Sequence, residues 1–111
     1  MKLDREYLRH LYDVVLSRRD ASPDKSYIAK LFAKGRSKIA QKVGEEAVET
    51  ALAAVAGTRE ETIGESADLL FHLLVLWAEM GIQPEDVLLE MQRREGISGL
   101  DEKRKRKDIP A

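Results

Sequence analysis

Apolar residues recur at helical spacing along most of this chain, and nowhere do they alternate as in a strand. Leu8, Leu11 and Val15 set the period of a first helix over roughly Asp4 to Arg18. The polar run "RRDASPD" breaks that pattern, with Pro23 as the stop. A short second helix is expected from near Ser26 to Gly35. Ser37 is then placed to cap a long third helix that ends at Gly57. Thr58 with Glu61 three residues on reads as a capping box for a fourth helix, closed by Gly81. Pro84 suits the first turn of a fifth, which ends before Gly96. The pattern therefore predicts an all-α fold of about five helices in one domain, residues 1–111, with a glycine-punctuated tail from about residue 96 that is loose unless something docks it. Short connections between the last three helices make them antiparallel neighbours.

Acidic residues interrupt the apolar pattern of the two longest helices, in the stretch "KVGEEAVETALAAVAGTREETIGESADLL". At about 100° per residue, Lys42, Glu45, Glu46 and Glu49 share one arc of the third helix, while Val48, Leu52 and Val55 lie opposite. On the fourth, Glu65, Asp68 and His72 share a side, with Leu70, Leu74 and Trp77 on the other. Carboxylates three residues apart stack one turn from each other. Two such pairs on facing helices make a cage of four, Glu46, Glu49, Glu65 and Asp68. Unpaired, the cage is costly, because like charges repel and burial worsens the repulsion. A hard divalent cation removes both problems, and all-oxygen ligation selects Mg²⁺ or Mn²⁺, with Ca²⁺ less often. Mg²⁺ also takes phosphate oxygens, which points to a phosphate-bearing substrate. The competing reading is a pair of solvated acidic faces. A di-iron bundle needs Glu-x-x-His on two helices, whereas Leu69 precedes His72 by three. His72 is either a core histidine with a hydrogen bond or a residue that orients the Asp68 carboxylate.

Composition narrows the class without changing the picture. Apolar residues make up 43% and charged residues 35%, a mixture that folds and stays soluble. The net charge of −1 gives no broad attraction to nucleic acid or to a membrane surface. The absence of cysteine removes disulfides and thiolate metal sites and favours a cytoplasmic setting. The N-terminal residues carry charges throughout and do not read as a signal peptide. The apolar run Leu69–Ala78 is about half a membrane span.

Two segments, "SYIAKLFAKGRSKIAQKVGEEAVETALAA" and "ESADLLFHLLVL", closely resemble the phosphoribosyl-ATP pyrophosphatase branch of the all-α, MazG-like nucleotide pyrophosphatases. The superfamily pattern E-E-x-x-E then E-x-x-D reads here as Glu45, Glu46 and Glu49, then Glu65 and Asp68. The tail matches the branch's R-x-G-x-S-G-x-x-E-K ending at Arg94, Gly96, Ser98, Gly99, Glu102 and Lys103; Phe71 stands where the branch often has tyrosine. The likeness spans roughly residues 22 to 106 and leaves the first helix without a counterpart.

The resemblance implies a helical bundle completed by homodimerisation, and a hydrolase of histidine biosynthesis. Its reaction would be cleavage of the α–β phosphoanhydride of 1-(5-phosphoribosyl)-ATP to phosphoribosyl-AMP and pyrophosphate. Glu46, Glu49, Glu65 and Asp68 would hold Mg²⁺ (or Mn²⁺). Glu45 would be an outer carboxylate or the base. Lys38, Lys42, and Arg94 or Lys103 would hold phosphates, with Arg106 a further cation of the tail. No nucleic-acid or membrane partner is expected. Two alternatives remain open from the sequence: a house-cleaning nucleoside triphosphate pyrophosphatase, and a non-enzymatic helical dimer whose basic end "EKRKRK" touches RNA.

Overall fold

A computed structural model describes residues 5–97, 99–100 and 103–104. The expectations on Asp4, Ser98, Glu102 and Arg106, and on most of the basic tail, lie outside the described residues. The described residues form five helices: α1 (Arg5–Ser17), α2 (Tyr27–Lys34), α3 (Arg36–Ala56), α4 (Arg59–Met80) and α5 (Pro84–Arg94). None is long and apolar enough to cross a membrane.

The local signals explain most boundaries. Ser26 caps α2 by accepting a hydrogen bond from the Ala29 amide at 3.2 Å. Thr58 does the same for α4 through the Glu61 amide at 3.1 Å. A capping box that the sequence reading missed starts α5: the Gln83 amide donates to the Asp86 carboxylate at 2.8 Å, with Pro84 in the first turn. One expected cap is wrong. Ser37 does not open α3, because α2 and α3 are joined through the single residue Gly35, at φ +92° and ψ 170°. Glycine tolerates that positive φ, so the chain turns in one residue. Helix α3 is already under way at Arg36, and Ser37 sits inside its first turn.

Helices α3 and α4 have 21 and 22 residues and are joined through Gly57 and Thr58. They form an antiparallel hairpin, the dominant packing contact of the chain. The core occupies one end of it. Ile39 from α3 and Leu74, Val75 and Ala78 from α4 pack with Tyr12 and Val15 of α1 and with Ile28 and Leu31 of α2. Complete burial of a side chain such as Leu74 stabilises the fold by about 1.5–3 kcal/mol. Polar ties fasten α1 to the end of α4: the Tyr12 hydroxyl donates to the Ile82 carbonyl at 2.7 Å, and Arg19 to the Ala78 carbonyl at 3.2 Å.

Apolar cover is uneven along the hairpin. Helices α1 and α2 bury the C-terminal half of α4. Apolar residues toward the hairpin tip stay uncovered, as do Leu89 and Met91 of α5. Val48, Leu52 and Val55 of α3 are 60%, 62% and 88% exposed, and Ile63 of α4 is 52% exposed.

Leu74→Ala should lower stability by about 2–5 kcal/mol, as cavity-forming core truncations do. Val55→Ala, at a side chain the single chain leaves in solvent, should change the unfolding free energy of the isolated chain by under about 0.5 kcal/mol. Urea titration of both variants at low protein concentration tests this contrast.

Candidate active site

Beyond the core, in the middle of the hairpin, the acidic seam of α3 meets that of α4. Glu46 and Glu49 are one turn apart on α3, and Glu65 approaches from α4. Each offers a carboxylate oxygen, and the three oxygens lie within 4.8 Å of one another. Glu46 and Glu65 are half-buried while Glu49 is exposed. One oxygen of Glu46 and one of Glu65 (Oε2 in each) are enclosed by protein and have no hydrogen-bond partner.

The electrostatics follow from this geometry. Burial raises the pKa of Glu46, and the neighbouring charge of Glu49 adds to the effect. Burial also raises that of Glu65, again reinforced by Glu49. Buried polar atoms are nearly always partnered, so two unpartnered carboxylate oxygens in one cluster are open to a cationic partner. The donor set fits a hard divalent ion. It is all oxygen, anionic, and spaced within the roughly 3–5 Å that oxygens keep on one coordination shell.

Asp68, the fourth expected carboxylate, has an exposed side chain and is not a member of the trio, although its charge contributes to the raised pKa of both Glu46 and Glu65 after burial and Glu49. Glu45 points elsewhere. It accepts a hydrogen bond from the Gln41 side chain at 2.7 Å and pairs with Lys42 at 3.5 Å. The Gln41 contact, aided by Lys42, lowers its pKa. Lys38 is half-buried on the same helix. Arg94 is engaged by Glu90 at 3.1 Å, and the side chains of Arg93 and Arg94 push the Glu90 carboxyl down to about 2. Lys103 is exposed.

His72 is buried at 5% exposure and takes the first of the two roles the sequence left open, a hydrogen-bonded core histidine, rather than orienting the Asp68 carboxylate. Its Nδ1 lies 2.7 Å from the Asp68 main-chain carbonyl, and its Nε2 lies 2.9 Å from the Tyr27 hydroxyl. Tyr27 was missed as a partner because no spacing rule connects residues 45 apart in the chain. Below the trio a cleft of about 320 Å³ runs toward the hairpin tip, lined by Glu49, Glu65, Leu52, Ala53, Ala56, Gly57 and Glu61.

Residues 8–95 match the family model described as phosphoribosyl-ATP pyrophosphohydrolase. The chain belongs to that family. A protein of Paramagnetospirillum magneticum named phosphoribosyl-ATP pyrophosphatase is 58% identical over 106 residues, covering 96% of this chain and 97% of that one. One of Rhizorhabdus wittichii with the same name is 60% identical over 96 residues, covering 86% and 91%. A third, from Erythrobacter litoralis, is 56% identical over 101 residues, covering 91% and 97%. The resemblance drawn from the acidic pattern and its flanks is therefore correct. The match also takes in most of α1, where the sequence reading found no counterpart.

The raised pKa values of Glu46 and Glu65 make a pH prediction for the metal-free protein. A carboxyl whose pKa is raised on folding binds its proton more tightly in the folded state. Its penalty is absent below the unfolded value and complete above the raised folded value. Glu65→Gln should therefore melt at a higher temperature than the parent at pH 7 in chelator, and the advantage should disappear as pH falls below about 4. Thermal melts across that range check the sign.

Proposed function

We propose that this chain hydrolyses the α–β phosphoanhydride of 1-(5-phosphoribosyl)-ATP to phosphoribosyl-AMP and pyrophosphate, a step of histidine biosynthesis in the cytoplasm. One observation carries the chemical reading: three of the five carboxylates that define the sequence resemblance, Glu46, Glu49 and Glu65, fold into a single cluster with two unpartnered, enclosed oxygens. Glu46, Glu49 and Glu65, joined by Asp68, are the residues that would hold Mg²⁺ or Mn²⁺. When bound, the ion offsets phosphate charge and makes a water molecule a stronger acid.

The protein's own groups do the rest. Glu45 is kept deprotonated by Gln41 and Lys42 and stays an outer carboxylate of the site; acting as the base would require it to leave those partners. Lys42 and Lys38 stand on the same helix as the cluster and supply positive charge for the phosphates. A substrate with several phosphates still brings excess negative charge to an acidic seam, and Arg94 and Lys103 are the further cations assigned to it. For Arg94 this means exchanging Glu90 for a phosphate oxygen.

The homodimer that the resemblance implies finds support in the uncovered residues near the hairpin tip. Val48, Leu52, Val55 and Ile63 are exposed apolar side chains that a second copy would remove from water. Pairing there would also brace the end of the hairpin that the core does not reach.

The deciding experiment is product analysis with phosphoribosyl-ATP beside ordinary nucleoside triphosphates. Phosphoribosyl-AMP and pyrophosphate should accumulate with Mg²⁺, and ordinary triphosphates should turn over far more slowly. Efficient cleavage of the ordinary triphosphates would favour the house-cleaning alternative. Turnover should stop in excess chelator, and Glu49→Gln or Asp68→Asn should lower kcat by more than about a hundredfold with the fold intact, beyond what outer-sphere changes usually cost. Undiminished activity in chelator would refute the metal assignment. Leu52→Glu should convert a dimer into a monomer in sedimentation velocity, and an unchanged sedimentation coefficient would move the interface elsewhere.

A further inference from the structure

The segment Ser26–Tyr27 carries part of the sequence resemblance but has no role in the reaction described above. Its geometry supplies one. Tyr27 is the first residue of α2, held there by the Ser26 cap. Its hydroxyl reaches across to α4 and meets His72 Nε2 at 2.9 Å. The other ring nitrogen meets the Asp68 carbonyl at 2.7 Å. A carbonyl only accepts, so Nδ1 carries the proton, and in the neutral ring Nε2 accepts from tyrosine. Phe71 and Tyr27 pack against the imidazole edge-on, with centroids 5.1 and 5.9 Å away, which confines its rotation. His72 is the one buried polar side chain among the described residues, and it stands one helical turn from Asp68.

We infer that Tyr27, acting through His72, is a positioning residue that fixes the turn of α4 bearing Glu65 and Asp68 against the carboxylates of α3. The inference rests on the metal-binding reading of the acidic cluster. Without the tyrosine hydroxyl, a buried ring nitrogen loses its partner and the imidazole must turn or take up water. Either response shifts the Asp68 carbonyl and the wall beside Glu46. Tyr27 itself is 50% exposed, and its hydroxyl bonds to His72. Its effect on the site passes through the ring.

The test is Mn²⁺ affinity, measured by calorimetry on the full chain, with kcat, KM and melting temperature measured alongside. Tyr27→Phe keeps the ring and removes only the hydroxyl, so it should fold. It should weaken Mn²⁺ binding about tenfold, as loss of an outer hydrogen bond typically does, and lower kcat more than it raises KM. His72→Asn keeps a donor toward the Asp68 carbonyl and loses the tyrosine link, so it should match Tyr27→Phe. The double variant should bind no more weakly than His72→Asn alone. His72→Gln, which can present an acceptor near the Nε2 position, should stay within about threefold of the parent. A Tyr27→Phe protein that melts lower but binds Mn²⁺ and turns over like the parent would overturn the inference, as would additive losses in the double variant. Failure of the parent to bind Mn²⁺ at all would overturn the metal reading, and this inference with it.

Discussion

Three like charges held within contact distance on two helices will separate unless something else keeps the helices together. That constraint organises this protein. The α3–α4 hairpin supplies the contact, and its strength lies in the core end, where Ile39, Leu74 and Val75 are almost wholly removed from water. The acidic trio sits just beyond that anchor. Repulsion among Glu46, Glu49 and Glu65 is thus borne by packing elsewhere in the chain. A divalent cation held by these carboxylates, as proposed, would offset that repulsion.

The polar contacts around the core serve alignment more than stability. Arg19 approaches the C-terminal carbonyls of α4, pairs with Glu79 at 3.6 Å and lies over the Phe32 ring at 4.7 Å. Arg36 reaches the same Glu79 at 3.6 Å from the start of α3. Partly exposed pairs of this kind contribute at most about 1 kcal/mol each. Together they set how α1, α2 and α3 meet the end of α4, and so the register in which the hairpin carries its carboxylates. His72 extends this alignment inward, linking α2 to the turn of α4 nearest the site.

Several features could be read directly from the chain. Ser26, Thr58, Gly57, Gly81 and Pro84 act through local backbone chemistry, and each marks the boundary expected of it. The acidic trio was legible too, since helical spacing places Glu46 beside Glu49 and the short connection through Thr58 brings Glu65 opposite. The Ser37 cap failed because a positive-φ glycine offered a sharper turn, and a capping residue competes only where the backbone leaves the helix more gradually. Asp68 could be assigned to the acidic side of its helix, but a wheel does not say whether a side chain on that side turns inward or into solvent.

Helical periodicity, caps and the order of charges along the chain determine an all-α hairpin with carboxylates on its inner seam, because each acts over a few residues. Three matters belong to tertiary structure alone. The first is which half of the hairpin is covered, since cover for Leu74 and Val75 comes from α1 and α2, distant in sequence. The second is which oxygens lose their hydrogen-bonding water, since enclosure depends on neighbours from two helices at once. The third is the pairing of Tyr27 with His72. That bond joins groups 45 residues apart, and its existence depends on how α2 crosses α4, a geometry that packing sets and no local pattern encodes.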